Sequence, residues 1–373
     1  LSCFVAIDLP YGADRRAAFE RYECCNKIVE ALDWKSEEAE MQEQTWQHNL
    51  RRRYGRTTSL LGVTLGIMAS MAMSVQAKTH DIKMTAVETD IVIDGGGERY
   101  AAWTFNGQVP GPVVRVTQGD TINFTLDNPA TNKYPHAMDF HAAKIDFLKN
   151  YRAINAGESI SFTFVAKHPG IFFYHCGAPP MIQHVARGMF GAIIVDPKDT
   201  KAWPKADREY VLVQSEFFKN PDDVQTMFDR KFDGMLFNGG VFKYHPFVTG
   251  GGKLDAKPGE RVRIYFVNAG PNEFSSLHPI GEIWENVYES GNPANNLRGV
   301  QSYVVGPGSA ATFDVVVESA GAYPIVTHSL TAALRGAIAV LVAGPDAKPA
   351  PLMPMVPWEL KIPQTGISGV EAP

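Results

Sequence analysis

Cysteine is almost absent from this chain once its first twenty-five residues are passed. Three of the four cysteines are Cys3, Cys24 and Cys25, and Cys176 stands alone in the remainder. A lone cysteine closes no internal disulfide, so Cys176 is either a buried core thiol or a working one. A basic excess is also missing: 35 Lys and Arg against 40 Asp and Glu leave a net charge of -5. With no surplus to neutralise phosphates, nucleic acid is excluded as the main partner. Long helical periodicity is scarce, and no two histidines stand in a His-x-His pair.

What is present is a chain of 373 residues, enough for two ordinary domains, with 45% hydrophobic and 20% charged residues, as expected of proper cores. Its 33 glycines and 25 prolines punctuate short alternating or β-branched apolar runs, such as Thr121–Leu126, Ser161–Val165, Arg261–Val267 and Thr312–Val317. These are strand signals at sandwich spacing, so the fold class is all-β. An internal repeat sharpens this. Phe105-Asn106-Gly107, Gly119-Asp120 and His136 are echoed by Phe237-Asn238-Gly239, Gly259-Glu260 and His278, while Pro169-Gly170 through His175 is echoed by Ala320-Gly321 through His328. Two copies of one domain are expected, at residues 78–200 and 201–345. Their junction falls near Asp196–Asp207, and a proline-rich tail (346–373) follows over the surface.

Residues 51–77 read as a secretory signal peptide. Arg51, Arg52, Arg53 and Arg56 give the charged start, Ser59–Met73 the uncharged apolar stretch, and Val75-Gln76-Ala77 a small-residue cleavage site. The stretch is short and rich in Gly, Ala and Ser, which favours a cleaved leader over a membrane anchor. The arginine pair also fits twin-arginine export. The first methionine is Met41, so translation is expected to start there, with residues 1–40 upstream. The mature, periplasmic chain then begins at Lys78 with Cys176 as its one cysteine.

Within the first copy, His136, Cys176, His184 and Met189 form a series, the last three as Cys-x7-His-x4-Met. A thiolate, two imidazoles and a thioether are the donors of a blue-copper electron-transfer site. Three further histidines, His141, His175 and His328, are not needed by that site. His175 directly precedes Cys176, and neighbours in a strand point to opposite faces, so the two can serve two metals linked through one peptide. Three neutral imidazoles plus an open position is also how a catalytic metal site is built. His80, His168 and His245 fit no motif.

In these motifs the chain, over roughly Ala86 to Gly344, resembles the copper-containing nitrite reductases, relatives of the cupredoxins and multicopper oxidases. The resemblance implies two cupredoxin-like Greek-key β-sandwich domains and two coppers per subunit. It makes His136, Cys176, His184 and Met189 the type 1 ligands, and His141, His175 and His328 the type 2 ligands. It makes Asp139 and His278 the catalytic acid pair and Ile280 a substrate-pocket residue. It further implies a homotrimer in which His328 of one subunit stands beside His141 and His175 of the next. Nitrite is the implied substrate, nitric oxide the product, and a small cupredoxin or c-type cytochrome the electron donor. Two departures stand out. The family usually has Asn after the first histidine, where this chain has Ala137, and a glycine-rich segment where this chain has Ala142–Lys149. Two rivals fit less well. A multicopper oxidase needs His-x-His pairs and a His-Cys-His, but Gly177 follows Cys176; an electron carrier needs one site and leaves Asp139, His141, His278 and His328 unused.

Overall fold

The computed structural model describes residues 77–344 apart from Phe247. The expected leader before Ala77, the start at Met41 and the proline-rich tail lie outside the described residues.

The first set of strands is β1 (Thr79–Val92), β2 (Arg99–Phe105), β3 (Val114–Thr117), β4 (Thr121–Asp127), β5 (Asp139–Phe140), β6 (Ser159–Val165), β7 (Gly170–His175) and β8 (Phe190–Asp196). They make two four-stranded sheets, in the orders β2-β1-β4-β6 and β3-β8-β7-β5. Alternation decides which side chains enter the space between. In β4, Ile122, Phe124 and Leu126 are buried, and in β6, Ile160, Phe162 and Phe164, with polar residues between them. These meet Met84, Trp103, Phe140, Tyr174 and Ile193 in one core, which also contains Cys176 and Met189.

The second set is β9 (Arg208–Phe217), β10 (Gly234–Phe237), β11 (Leu254–Ala256), β12 (Arg261–Gly270), β13 (Ser275–Pro279), β14 (Trp284–Glu289), β15 (Asn296–Val300), β16 (Tyr303–Val305), β17 (Ser309–Val316), β18 (Gly321–Thr327) and β19 (Ile338–Ala343). A six-stranded sheet, β10-β9-β12-β17-β14-β15, faces a five-stranded one, β11-β19-β18-β13-β16, across a core around Phe266, Trp284, Phe313, Ile325 and Leu341. The fold is all-β, as expected, and the repeat is visible in detail. Asn106 and Asn238 both take left-handed φ, at 59° and 49°, each followed by a left-handed glycine. Each Asn side chain accepts the backbone N–H of a preceding strand, Thr85 or Val213, at 2.7 Å. Asparagine tolerates this conformation because its short amide bonds locally.

The strands β7 and β8 are apolar on both faces, and alternation explains why. Ile171, Phe173, Phe190, Ala192 and Ile194 pack against Val213, Tyr265 and Val267 of the second set. Tyr174, Cys176, Ile193 and Val195 face the first core. The strand leading to His175-Cys176 is thus gripped from both sides.

One buried charged pair sits on the face of the six-stranded sheet turned away from the second core, beside Trp203 and Tyr288. Arg263 of β12 donates to both carboxylate oxygens of Asp314 of β17 at 2.7 and 2.8 Å, and both residues are buried. Asp314→Ala would strand the guanidinium, and urea unfolding should show a loss of about 3–5 kcal/mol. A loss below about 1 kcal/mol would mean that the cation is compensated elsewhere.

Candidate metal centres

The first donor set forms where β7 ends. Cys176 N–H donates to the Met189 carbonyl at 2.9 Å, and Met189 N–H to the His184 carbonyl at 3.1 Å. The loop between Cys176 and Met189 is therefore closed by its own backbone. His184 lies on the short helix α2 (Met181–Ala186), which follows α1 (Phe147–Asn150) in the chain. One donor atom each from His136, Cys176 and His184 lies within 4.8 Å of the others, and all three residues are buried. Cys176 Sγ is 3.2 Å from His184 Nδ1. The Ala137 backbone N–H donates to the same sulfur at 3.2 Å. The alanine in place of the family's asparagine thus still brings a main-chain donor to the thiol. Met189 is fully buried in the same cluster as Cys176.

Glu88 on β1 was not singled out by sequence. Its Oε1 accepts the backbone N–H groups of Lys133 and Tyr134, each at 2.9 Å, and pairs with His136 Nε2 at 3.3 Å. A carboxylate only accepts, so Nε2 carries the proton and Nδ1 keeps its lone pair. His136 Nδ1 is buried without a hydrogen-bond partner. An orphaned buried lone pair beside a thiol and a second imidazole fits a soft cation. No sequence signal marks Glu88, which stands 48 residues before His136 on an ordinary-looking strand. Trp103 was missed for the same reason. Its ring lies 4.5 Å from that of His184 and carries the Arg187 guanidinium at 4.4 Å.

Burial pushes the Cys176 thiol up to about 11, against the pull of the Ala178 and Ala137 backbone donors. Burial pushes His184 down to about 3, helped by charge on His136 and Arg187. Burial also lowers His136, against the opposing Glu88 carboxylate. At neutral pH the imidazoles are free donors, and the thiol needs a cation beside it to ionise.

The second set lies across β7. Asp139 pairs with His175 in the β5–β7 register, and His141 N–H donates to the Phe173 carbonyl at 3.0 Å. His175 Nδ1–H donates to the Cys176 carbonyl at 3.0 Å, which leaves Nε2 free, 3.7 Å from Asp139 Oδ2. Asp139, His141 and His175 bring donor atoms within 4.8 Å of one another, and the two rings lie 5.3 Å apart. Burial lowers the pKa of His141, with His175 adding to the effect and Asp139 and the Gly308 backbone opposing.

His278 and His328 form a pair of their own on β13 and just beyond β18, with ring centroids 5.1 Å apart. His278 Nδ1–H donates to the Gln301 carbonyl at 2.6 Å, a partner that sequence did not suggest. Ile280 is tied by its N–H to the Pro324 carbonyl at 2.7 Å. Among the described residues, no close donor group joins His328 to His141 and His175 within one chain. Near the second set, Ala142–Lys149 leads into α1, whose Phe147 and Leu148 are 65% and 81% exposed, unlike a plain glycine-rich loop.

Two outcomes follow. A Glu88→Ala chain should bind copper about 10–100-fold more weakly in a chelator titration, and Glu88→Gln, which still accepts from Nε2, should recover most of it. Equal loss in both would assign the effect to charge alone. For the metal-free protein, the depressed pKa of His184 means that the unfolded chain binds more protons below about 6.5. Stability should therefore be full above about pH 6.5 and fall as pH drops toward 3, by up to about 1.4 kcal/mol per pH unit for each such histidine. Denaturant unfolding of the metal-free wild type and of His184→Gln should differ in that slope.

A family model for multicopper oxidases matches residues 86–200. The copper-containing nitrite reductase of Neisseria meningitidis is 37% identical over 271 residues, spanning 70% of this chain and 68% of that protein. That of Pseudomonas chlororaphis is 32% identical over 288 residues, spanning 70% and 78%. Among solved structures, the copper nitrite reductase of Nitrosomonas europaea superposes with a TM-score of 0.71 at 57% identity, covering 72% of this chain and 95% of that one. A blue copper oxidase from Nitrosomonas europaea, at 22% identity and a TM-score of 0.60, shares the fold.

Proposed function

The chain belongs to the copper-containing nitrite reductases, and on that premise we propose that it reduces nitrite to nitric oxide. The reaction consumes one electron and two protons, breaks one N–O bond and releases that oxygen as water. The observation that carries this reading is the His175-Cys176 pair, whose adjacent side chains join two different donor sets on opposite sides of β7. His136, Cys176, His184 and Met189 would hold the first copper. His141 and His175, with His328 of a neighbouring copy, would hold the second. When bound, copper supplies a one-electron couple at both sets and, at the histidine set, a Lewis acid for a nitrite oxygen.

The chain's own residues account for the rest. The Cys176–His175 peptide is the short covalent link for the electron. Asp139 Oδ2, 3.7 Å from His175 Nε2, faces the second set and is placed to hydrogen-bond a bound anion there. His278, held through Nδ1 by Gln301, keeps Nε2 for a second proton. Ile280 is assigned to the wall of the substrate pocket.

The division of the histidines supports a cyclic homotrimer. One chain carries Asp139, His141 and His175 in one group and His278 with His328 in another, and a head-to-tail ring would bring the two groups together. The leader motif supports export to the periplasm, where a small cupredoxin or c-type cytochrome would deliver the electron.

Asp139→Asn keeps the shape and removes the acid. Copper should stay at two per subunit and the thiolate-to-copper band should survive. Nitrite-dependent nitric oxide formation should fall about 10²-fold or more. Full activity in that variant would refute the proton role, and loss of one copper would make Asp139 structural.

A further inference from the structure

Beside the start of β1 lies a buried carboxylate, remote from both donor sets. Asp120 is 2% exposed and lies in the turn between β3 and β4. Its Oδ1 accepts the backbone N–H of Lys78 at 2.8 Å. Its Oδ2 accepts the Thr117 N–H at 2.9 Å and pairs with His80 Nε2 at 2.8 Å. The Lys78 carbonyl in turn accepts the Thr121 N–H at 2.8 Å, and from Thr79 onward β1 runs parallel to β4. Lys78 therefore starts the sheet, while Ala77 and Lys78 themselves are exposed.

Val75-Gln76-Ala77 places the scissile bond directly before this nitrogen. We propose that cleavage of the Ala77–Lys78 bond delivers the new α-ammonium of Lys78 onto Asp120, so that leader removal creates a buried-carboxylate ion pair that fastens β1. The inference rests on the processing read from the sequence and is independent of the nitrite chemistry. Cleavage is a hydrolysis: the amide bond breaks, water gives its hydroxyl to the Ala77 carbonyl and a hydrogen to the Lys78 nitrogen, and that amine takes one further proton from solvent. No oxidation or reduction is involved.

Before cleavage, the Lys78 nitrogen meets the carboxylate as a neutral amide. Afterwards a full cation occupies the same hydrogen-bond position, and charge-assisted bonds are about twice as strong as neutral ones. The burial of Asp120 limits solvent screening of the pair. The strand that it fastens also carries Glu88, the partner of His136. The leader's departure and the tightening of the first sandwich then become one event.

Two measurements on copper-loaded protein test this. Intact mass of the exported product should correspond to a chain beginning at Lys78; a different start would overturn the proposal at its premise. The Lys78-start protein should then melt about 2–4 °C above an otherwise identical protein begun at Ala77. The gap should close when both carry Asp120→Asn, with the thiolate-to-copper band reporting that each has folded. Equal melting temperatures of the two wild-type forms, or a gap that survives Asp120→Asn, would overturn the ion pair. Without any substitution, the native α-amine should titrate above its ordinary range of about 7.7–8.0. A native value within or below that range would also overturn the proposal.

Discussion

In an extended strand, consecutive side chains point to opposite faces, and the rest of this molecule is arranged around that constraint at the end of β7. Ile171 and Phe173 pack against the second set of strands and share their face with His175, which stacks on Phe173, while Tyr174 and Cys176 turn into the first core. His175 and Cys176 are thus bonded through one peptide and separated by the thickness of a strand. Everything that grips β7 from both sides, including the doubly apolar β8, serves to hold that geometry.

The two faces differ in physical character. On the Cys176 side, burial raises the thiol and lowers both imidazoles, so the site favours neutral groups until a cation arrives. Main-chain bonds, from Ala137 to the sulfur and between Cys176, Met189 and His184, hold the donors in place without relying on side-chain identity. Glu88 supplies the missing orientation for His136. On the His175 side, within a single chain, His175 is buried, Asp139 is half-buried, and His141 and His328 each keep exposed surface. The enclosed Cys176 side suits electron transfer with little rearrangement.

Much of this was legible in the sequence because the informative signals are local or periodic. Alternation marked the strands, the Phe-Asn-Gly repeat marked the two copies, and the Cys-x7-His-x4-Met spacing marked one donor set. The less legible parts depend on contacts between distant segments. Glu88 reaches His136 across 48 residues from a strand whose pattern says only that it is half-buried. Gln301 meets His278 through its backbone carbonyl, which no side-chain pattern encodes. The helix α1 lies where the chain departs from the family's glycine-rich segment, and Asp146 caps it locally by accepting the Leu148 and Lys149 N–H groups. The separation of His328 from His141 and His175 within a chain was expected from the family resemblance alone, because spacing does not give tertiary placement.

The central claim is that His175-Cys176 couples two coppers in nitrite reduction. Its most direct test is to reduce copper-loaded protein anaerobically until the thiolate-to-copper band is bleached, then to mix it rapidly with nitrite. The account predicts that the band returns with formation of one nitric oxide per electron taken from the protein, and that His175→Ala, with the first copper retained, stays bleached. Wild-type protein carrying both coppers that stays bleached in nitrite, or a His175→Ala protein that recovers its colour at the wild-type rate, would contradict it.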